Sequence, residues 1–235
     1  MKKLFPILAL CLSAFTQATQ AQETVDQTQE NTSHSPIKVN LRGGLNFANI
    51  YIKNSESGDE LKDRTAYNLG LLLDIPFKRR WTIQTGLLLN SKGFKERENE
   101  SIMLTCTANY LEVPFLFTYH NHFTLDADWQ LNIGPYFAYG IDGTARLENT
   151  ASSSGVFVGV NTFGQLGTSD VSVGLNHFDA GLSLGTGFLL YQKFYIGFQA
   201  ELGIADILNH SGTTGWDDDY SAQNKTFSIN IGCTL

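Results

Sequence analysis

The stretch WQLNIGPYFAYGI, residues 129–141, decides the fold class of this chain. Its odd-numbered positions are almost all large and apolar, whereas its even-numbered positions are glycine, alanine, tyrosine or side-chain amides. Alternation with a period of two residues predicts a β-strand whose two faces meet different surroundings. Because the apolar face is nearly continuous and carries no charge, the pattern favours a closed barrel whose outer surface contacts lipid.

The same alternation recurs along the chain and predicts an all-β, eight-stranded antiparallel transmembrane barrel. The predicted strands are 37–50, 65–75, 81–92, 109–119, 129–141, 177–190, 194–205 and 224–235. Short connections alternate with long ones, and the long ones are 51–64, 93–108, 142–176 and 206–223. This asymmetry is typical of bacterial outer-membrane barrels, which have tight periplasmic turns and long outer loops.

The N-terminal sequence predicts export and a single folded domain. Residues 1–21 combine a basic start with a short apolar run and a small-residue cleavage site, which indicates a signal peptide. Residues 22–36 are polar and aperiodic and predict a flexible periplasmic leader, so the barrel occupies 37–235. A soluble barrel of the lipocalin type would bury its apolar face instead. Against that alternative, the apolar faces hold about forty large side chains, more than an eight-stranded interior can pack.

Charge and cysteine content limit the classes of function. The chain has 16 basic and 23 acidic residues, and no basic patch indicates a nucleic-acid partner. Cys106 is predicted in an outer loop and Cys233 near the inner end of the last strand. A disulfide requires Cα atoms within about 7 Å. We therefore expect two free thiols in the exported chain.

The predicted inward faces carry glycines, amides and a set of charged residues. The charged residues are Lys38, Arg42, Asp74, Glu112, Asp179 and Glu201. Buried charges need partners, so we expect Arg42 to form a cluster with Glu112 and Glu201 inside the barrel. A structural plug of the lumen is the main interpretation of this cluster, and a gating or transport role is the alternative.

No other motif strongly indicates a catalytic site or a ligand-binding site. His177 and the His210-Ser211 pair fall near the predicted outer rim, but adjacent residues rarely converge as a catalytic pair requires. The acidic run 216–220 lacks the spacing of a calcium loop. The glycine-rich stretch 181–187 lies within a strand and precedes no helix, so it does not predict a phosphate site. We expect that the chain has no enzymatic activity, no cofactor and no catalytic or metal site.

Five segments resemble the small outer-membrane β-barrel family common in Bacteroidetes, whose members are called porin-family or PorT-family proteins. The segments are GGLNFANI (43–50), GLLLNSKGFK (86–95), YLEVPFLFTY (110–119), IGPYFAYGI (133–141) and NKTFSINIGCTL (224–235). The resemblance covers 37–235 and implies an eight-stranded barrel of the OmpA/OmpX type without catalytic residues. The chain departs from the pattern at its last residue, Leu235, because such barrels usually end in an aromatic residue.

These observations together predict an outer-membrane protein with a plugged polar lumen and a structural or surface-interaction role through its outer loops. A narrow porin-type channel for small solutes or ions is one alternative, and a component of a secretion or assembly complex is another. The expected partners are outer-membrane lipid, lipopolysaccharide, the barrel-insertion machinery and a surface partner. We expect a monomer.

Overall fold

In a computed structural model, eight antiparallel strands form a closed ring. The structure describes residues 37–53, 61–99, 102–124, 126–149, 158–164, 172–210 and 219–235. The predicted signal peptide 1–21 and leader 22–36 lie outside these ranges. No helix in the described part of the chain is long and apolar enough to cross a membrane.

The strands follow one another in a simple order around the ring. They are β1 (Lys38–Lys53), β2 (Lys62–Lys78), β3 (Trp81–Asn99), β4 (Ile102–Thr124), β5 (Ala127–Asn149), β6 (Val158–Phe163), β7 (Ser172–Leu175), β8 (Phe178–Leu190), β9 (Phe194–Gly203) and β10 (Ser221–Thr234). Strands β1 to β5 and β8 to β10 make the ring, which closes between β10 and β1. The short strand β6 pairs with the last part of β5, and β7 lies parallel to β6.

The two faces of the ring confirm the predicted alternation. Outward-facing Leu45 and Ile196 expose 55% and 48% of their surface, whereas inward-facing Asn46 and Gln84 expose 0% and 1%. Amides are stable inside only when they are hydrogen-bonded, and an apolar surface this extensive is stable in lipid rather than in water. The lipocalin-type alternative is therefore wrong, because that fold places its apolar face inside.

The strands are longer than the sequence pattern predicted. The predicted outer loop 93–108 is mostly strand, because β3 continues to Asn99 and β4 begins at Ile102. The predicted periplasmic connection 120–128 shortens in the same way, since β4 continues to Thr124 and β5 begins at Ala127. The prediction ended each strand where the outward apolar residues end. At the outer end of the barrel, apolar residues occupy inward positions instead.

Because β4 is longer than predicted, the predicted position of one cysteine is wrong. Cys106, predicted in a loop, lies within β4 with 0% of its surface exposed. The thiols of Cys106 and Cys233 are both free, as predicted.

Inward glycines allow the paired strands β2 and β3 to approach each other closely. A Cβ atom on Gly86 would lie 2.1 Å from the carbonyl oxygen of Leu71. A Cβ atom on Gly70 would lie equally close, at 2.1 Å, to the carbonyl oxygen of Leu87. Because no side chain fits at these distances, glycine at both positions is required for the tight curvature of a narrow barrel.

Candidate functional site

A buried lysine occupies the centre of the lumen. Lys92 points inward from β3, and its side chain is fully buried. Its Nζ atom lies 3.0 Å from Glu112 Oε2 on β4, 3.1 Å from Glu201 Oε2 on β9 and 3.3 Å from Asp179 Oδ2 on β8. An ammonium group has three N–H donors, so it can serve all three carboxylates at once. We call these four residues the central cluster.

Neutral side chains donate further hydrogen bonds to at least one oxygen of each carboxylate, whereas Glu112 Oε1 is buried without a hydrogen-bond partner among the described residues. The Nδ2 atom of Asn90 donates to Glu112 at 2.9 Å and to Glu201 at 3.2 Å. The Nδ2 atom of Asn224 donates to Asp179 at 2.9 Å. These dipoles offset part of the excess negative charge that three carboxylates bring to one ammonium group.

Two tyrosines cover the ammonium group. Lys92 Nζ lies 4.1 Å from the centroid of the Tyr136 ring and 5.7 Å from that of Tyr110. Both contacts fall within the range of cation–π attraction. The ammonium group is thus enclosed by carboxylates and aromatic faces from several strands.

Arg42 is not part of the central cluster, and the predicted ion pairing of Arg42 with Glu112 and Glu201 is wrong. Its Nη1 atom instead donates to Gln84 Oε1 at 3.1 Å. Its guanidinium group stacks 3.9 Å from the centroid of the Tyr195 ring. The physical reason is position along the barrel, because Arg42 pairs with glycines of β2 and β10 nearer the inner end.

The other predicted lumen residues fall into two further groups. Asp74 joins Arg42 indirectly, because Gln84 Nε2 donates to Asp74 Oδ1 at 2.6 Å. Lys38 lies at the inner mouth, where its Nζ atom donates to Gln192 Oε1 at 3.3 Å. Glu112, Asp179 and Glu201 are the predicted residues that the structure brings together.

The sequence prediction missed Lys92, although a signal for it was present. Lys92 has the same inward parity as Gln84 and Asn90, but it was the last residue of a predicted strand. The predicted inward set contained four acids and only two bases. Since buried carboxylates require counter-charges, that imbalance indicated an additional inward base.

An apolar layer lies on the outer side of the central cluster. The rings of Tyr110 and Phe163 meet edge to face, with their centroids 5.5 Å apart, and Phe163 packs against the layer beyond. Residues from most of the ring strands meet there, and none carries a charge. We call this layer the apolar cap: Ile50, Phe94, Cys106, Ala145, Leu175, Ile207, Leu208 and Ala222.

The segment after β9 supplies part of the cap and is fixed by one aspartate. Asp206 Oδ1 accepts hydrogen bonds from the backbone N–H groups of Leu208 and Ala222, each at 3.0 Å. Asp206 Oδ2 lies 2.9 Å from His210 Nε2. Partial burial opposes the charged form, but the hydrogen bonds prevail and hold the pKa of Asp206 below its usual value.

Acidification is therefore expected to loosen this segment. A carboxyl group with a depressed pKa in the folded state stabilises the fold above its unfolded pKa and loses that effect as pH falls through the folded pKa. Hydrogen exchange of the Leu208 and Ala222 amides, corrected for intrinsic rates, should accelerate over that acidic range. In the control variant Asp206→Asn, the pH dependence should disappear. Constant protection of both amides across the range in the unmodified protein would contradict this account.

The two candidate histidines have structural contacts. The His177 ring stacks between Tyr139 and Phe163, with centroid distances of 5.2 Å and 4.8 Å, and its Nδ1 atom donates to Gly140 O at 2.7 Å. His210 contacts Asp206, whereas Ser211 and most of the acidic run 216–220 lie outside the described residues. Within the described ranges, no group of three or more His, Cys, Asp or Glu residues is arranged to hold a metal ion.

Comparison with known proteins identifies the family of the chain. A family model described as an outer membrane protein beta-barrel domain matches residues 20–209. The chain belongs to this family. The predicted location of this outer membrane β-barrel in the outer membrane is thereby confirmed.

Several solved structures are similar to this outer membrane β-barrel. Ail, the attachment invasion locus protein of Yersinia pestis, is 12% identical with a TM-score of 0.41, covering 84% of this chain and 98% of that one. OprG of Pseudomonas aeruginosa is 13% identical with a TM-score of 0.40, covering 86% and 97%. Neisserial surface protein A is 7% identical with a TM-score of 0.41, covering 86% and 100%. Among curated proteins, none matches.

Proposed function

We propose that this outer membrane β-barrel is closed to solutes and acts through its outer end, as a structural or surface-interaction protein. The central cluster is the observation that carries the proposal. A buried ammonium group bound to three carboxylates lies across the lumen, and the apolar cap follows on its outer side. The interior of an eight-stranded barrel is only just wide enough for its own side chains.

The energetics favour a closed lumen over a channel. A permeating ion would have to separate the ammonium group from its carboxylates, and breaking a buried ion pair costs about 3–5 kcal/mol. It would then meet a layer of apolar side chains, where a charged group loses its hydration without compensation. A solute path would need both barriers to rearrange together.

Planar-bilayer conductance of the refolded protein tests this proposal. Heat-modifiable gel mobility would first establish that the barrel is folded. We expect no reproducible ion steps from the folded protein, and the same result from the variant Phe163→Ala, because the central cluster remains in place. Stable ion steps from the unmodified protein would refute the proposal and favour the narrow channel.

We also propose that the protein is related to the porin-family and PorT-family barrels of Bacteroidetes and that it is not an enzyme. The five sequence segments quoted above support the kinship. The stacking of His177 between two aromatic rings and the contact of His210 with a cap-anchoring aspartate support structural roles for both histidines. The outer loops remain our candidates for contact with lipopolysaccharide or a surface partner.

A further inference from the structure

A groove interrupts the outward apolar wall where β9, β10, β1 and β2 lie side by side. The groove is open on its outer side and has a volume of about 820 Å³. Its floor is main chain, because Gly43 is the outward-facing residue at its centre and has no side chain. Its walls are apolar and include Leu41, Leu45, Leu69, Phe194, Ile229 and Ile231.

The backbone does not require glycine at the centre of the groove. A Cβ atom on Gly43 would first meet Leu69 Cδ1 at 3.3 Å, the end of a flexible, half-exposed side chain. The neighbouring Gly44 differs, because its Cβ atom would lie 2.4 Å from the carbonyl oxygen of Ile229. Gly43 also lacks the left-handed backbone that is found at Gly93. A larger side chain could therefore fill the groove, and the open space is a feature of the outer surface rather than a by-product of sheet geometry.

One end of the groove lies near the inner end of the barrel. It extends from Phe194 and Cys233, near the inner ends of β9 and β10, towards Leu45 on β1. Lys193 immediately precedes Phe194 in the exposed turn between β8 and β9. That turn is fixed against β10, because Thr234 N donates to Lys193 O at 2.8 Å. An exposed lysine thus lies in the turn next to the inner end of an apolar groove.

We propose that this groove binds one acyl chain of a phospholipid from the periplasmic leaflet and that Lys193 binds its phosphate. The volume lies within the usual range for small-molecule sites, about 300–1,000 Å³. The walls carry no charged side chain, which suits a hydrocarbon chain. The ammonium group of Lys193 complements the phosphate group at the depth where a lipid headgroup lies. The proposal depends on the membrane location of the barrel and is independent of whether the lumen conducts.

Native mass spectrometry of the full chain with palmitoyl-oleoyl phosphatidylethanolamine tests the groove. We expect one lipid to remain bound to the unmodified barrel after the others dissociate. Gly43→Phe should weaken retention of that lipid about tenfold. The matched control is Thr85→Phe, which adds the same ring to an outward position on β3, away from the groove, and should retain the lipid. Equal retention by Gly43→Phe and the unmodified protein would overturn the proposal.

Three further measurements separate the alternatives. Heat-modifiable mobility establishes folding, and Gly43→Leu replaces Gly43→Phe if the larger residue prevents folding. Lys193→Gln should weaken retention of the phospholipid but not of palmitoyl-oleoyl glycerol, which has no phosphate; an equal effect on both lipids would overturn the assignment of Lys193. If a second copy of the chain fills the groove instead, oxidation should give a disulfide-linked dimer through Cys233 on its rim. Such a dimer would overturn the lipid proposal.

Discussion

Replacing Lys92 with methionine is expected to destabilise the folded barrel by about 3–5 kcal/mol. Methionine keeps the unbranched shape of the side chain and removes its charge. Three carboxylates, 3.0–3.3 Å from the ammonium nitrogen, would then face one another without a counter-charge. Their burial prevents water from compensating, because Glu112 and Asp179 expose none of their surface.

Equilibrium unfolding in guanidinium chloride, followed by the shift in gel mobility, would measure this change. The matched control is Lys95→Met, since Lys95 is only partly buried on the same strand and takes no part in the central cluster. That control should change the free energy of unfolding by no more than about 0.5 kcal/mol.

A second substitution tests the electrostatic origin of the effect. Adding Glu112→Gln to Lys92→Met removes one of the uncompensated charges and should recover part of the lost stability. The loss caused by Lys92→Met should also persist at high salt, because mobile ions do not screen a fully buried cluster effectively. A loss below about 1 kcal/mol for Lys92→Met would show that the cluster contributes little to the stability of the barrel.

The central cluster shows how far the sequence could define the lumen. Period-two alternation assigns Glu112, Asp179 and Glu201 to inward faces, because each strand has only two faces. Alternation alone does not give the relative height of residues on different strands. That height depends on the stagger of the ring, which the prediction could not supply. Arg42 and Lys92 were therefore equally compatible with the acids by parity, and only the register separates them.

The ends of the strands could not be predicted for a related reason. The prediction followed outward apolar residues, which stop where the lipid stops. Beyond that point the inward positions become apolar, as at Phe94 and Ala145, and the strands continue. Searching for either face separately would have extended β3 and β4, because their alternation persists while its polarity reverses. In β5 a bulge between Gly140 and Asp142 also shifts the parity, so that Ala145 faces inward at an odd-numbered position.

Replacing Gly86 with valine is expected to prevent the barrel from folding. The new Cβ atom would lie 2.1 Å from Leu71 O and 2.8 Å from Leu72 Cα, and both are backbone atoms that cannot rotate away. Overpacking a well-packed interior typically costs about 1–3 kcal/mol when side chains can adjust. Here β2 and β3 would have to separate and lose ladder hydrogen bonds, so we expect a larger cost.

The adjacent residue provides a closely matched control for this experiment. Thr85 lies next to Gly86 on β3 but faces outward, where it pairs with Leu73 and Phe115. Thr85→Val introduces the same side chain on the lipid face and should leave the folded fraction unchanged, as judged by heat-modifiable mobility after refolding. Gly86→Ala should also prevent folding, because it introduces the same Cβ atom 2.1 Å from Leu71 O. Normal folding of Gly86→Val would mean that β2 and β3 can separate without cost, and their close pairing would then not be what limits the diameter of the lumen.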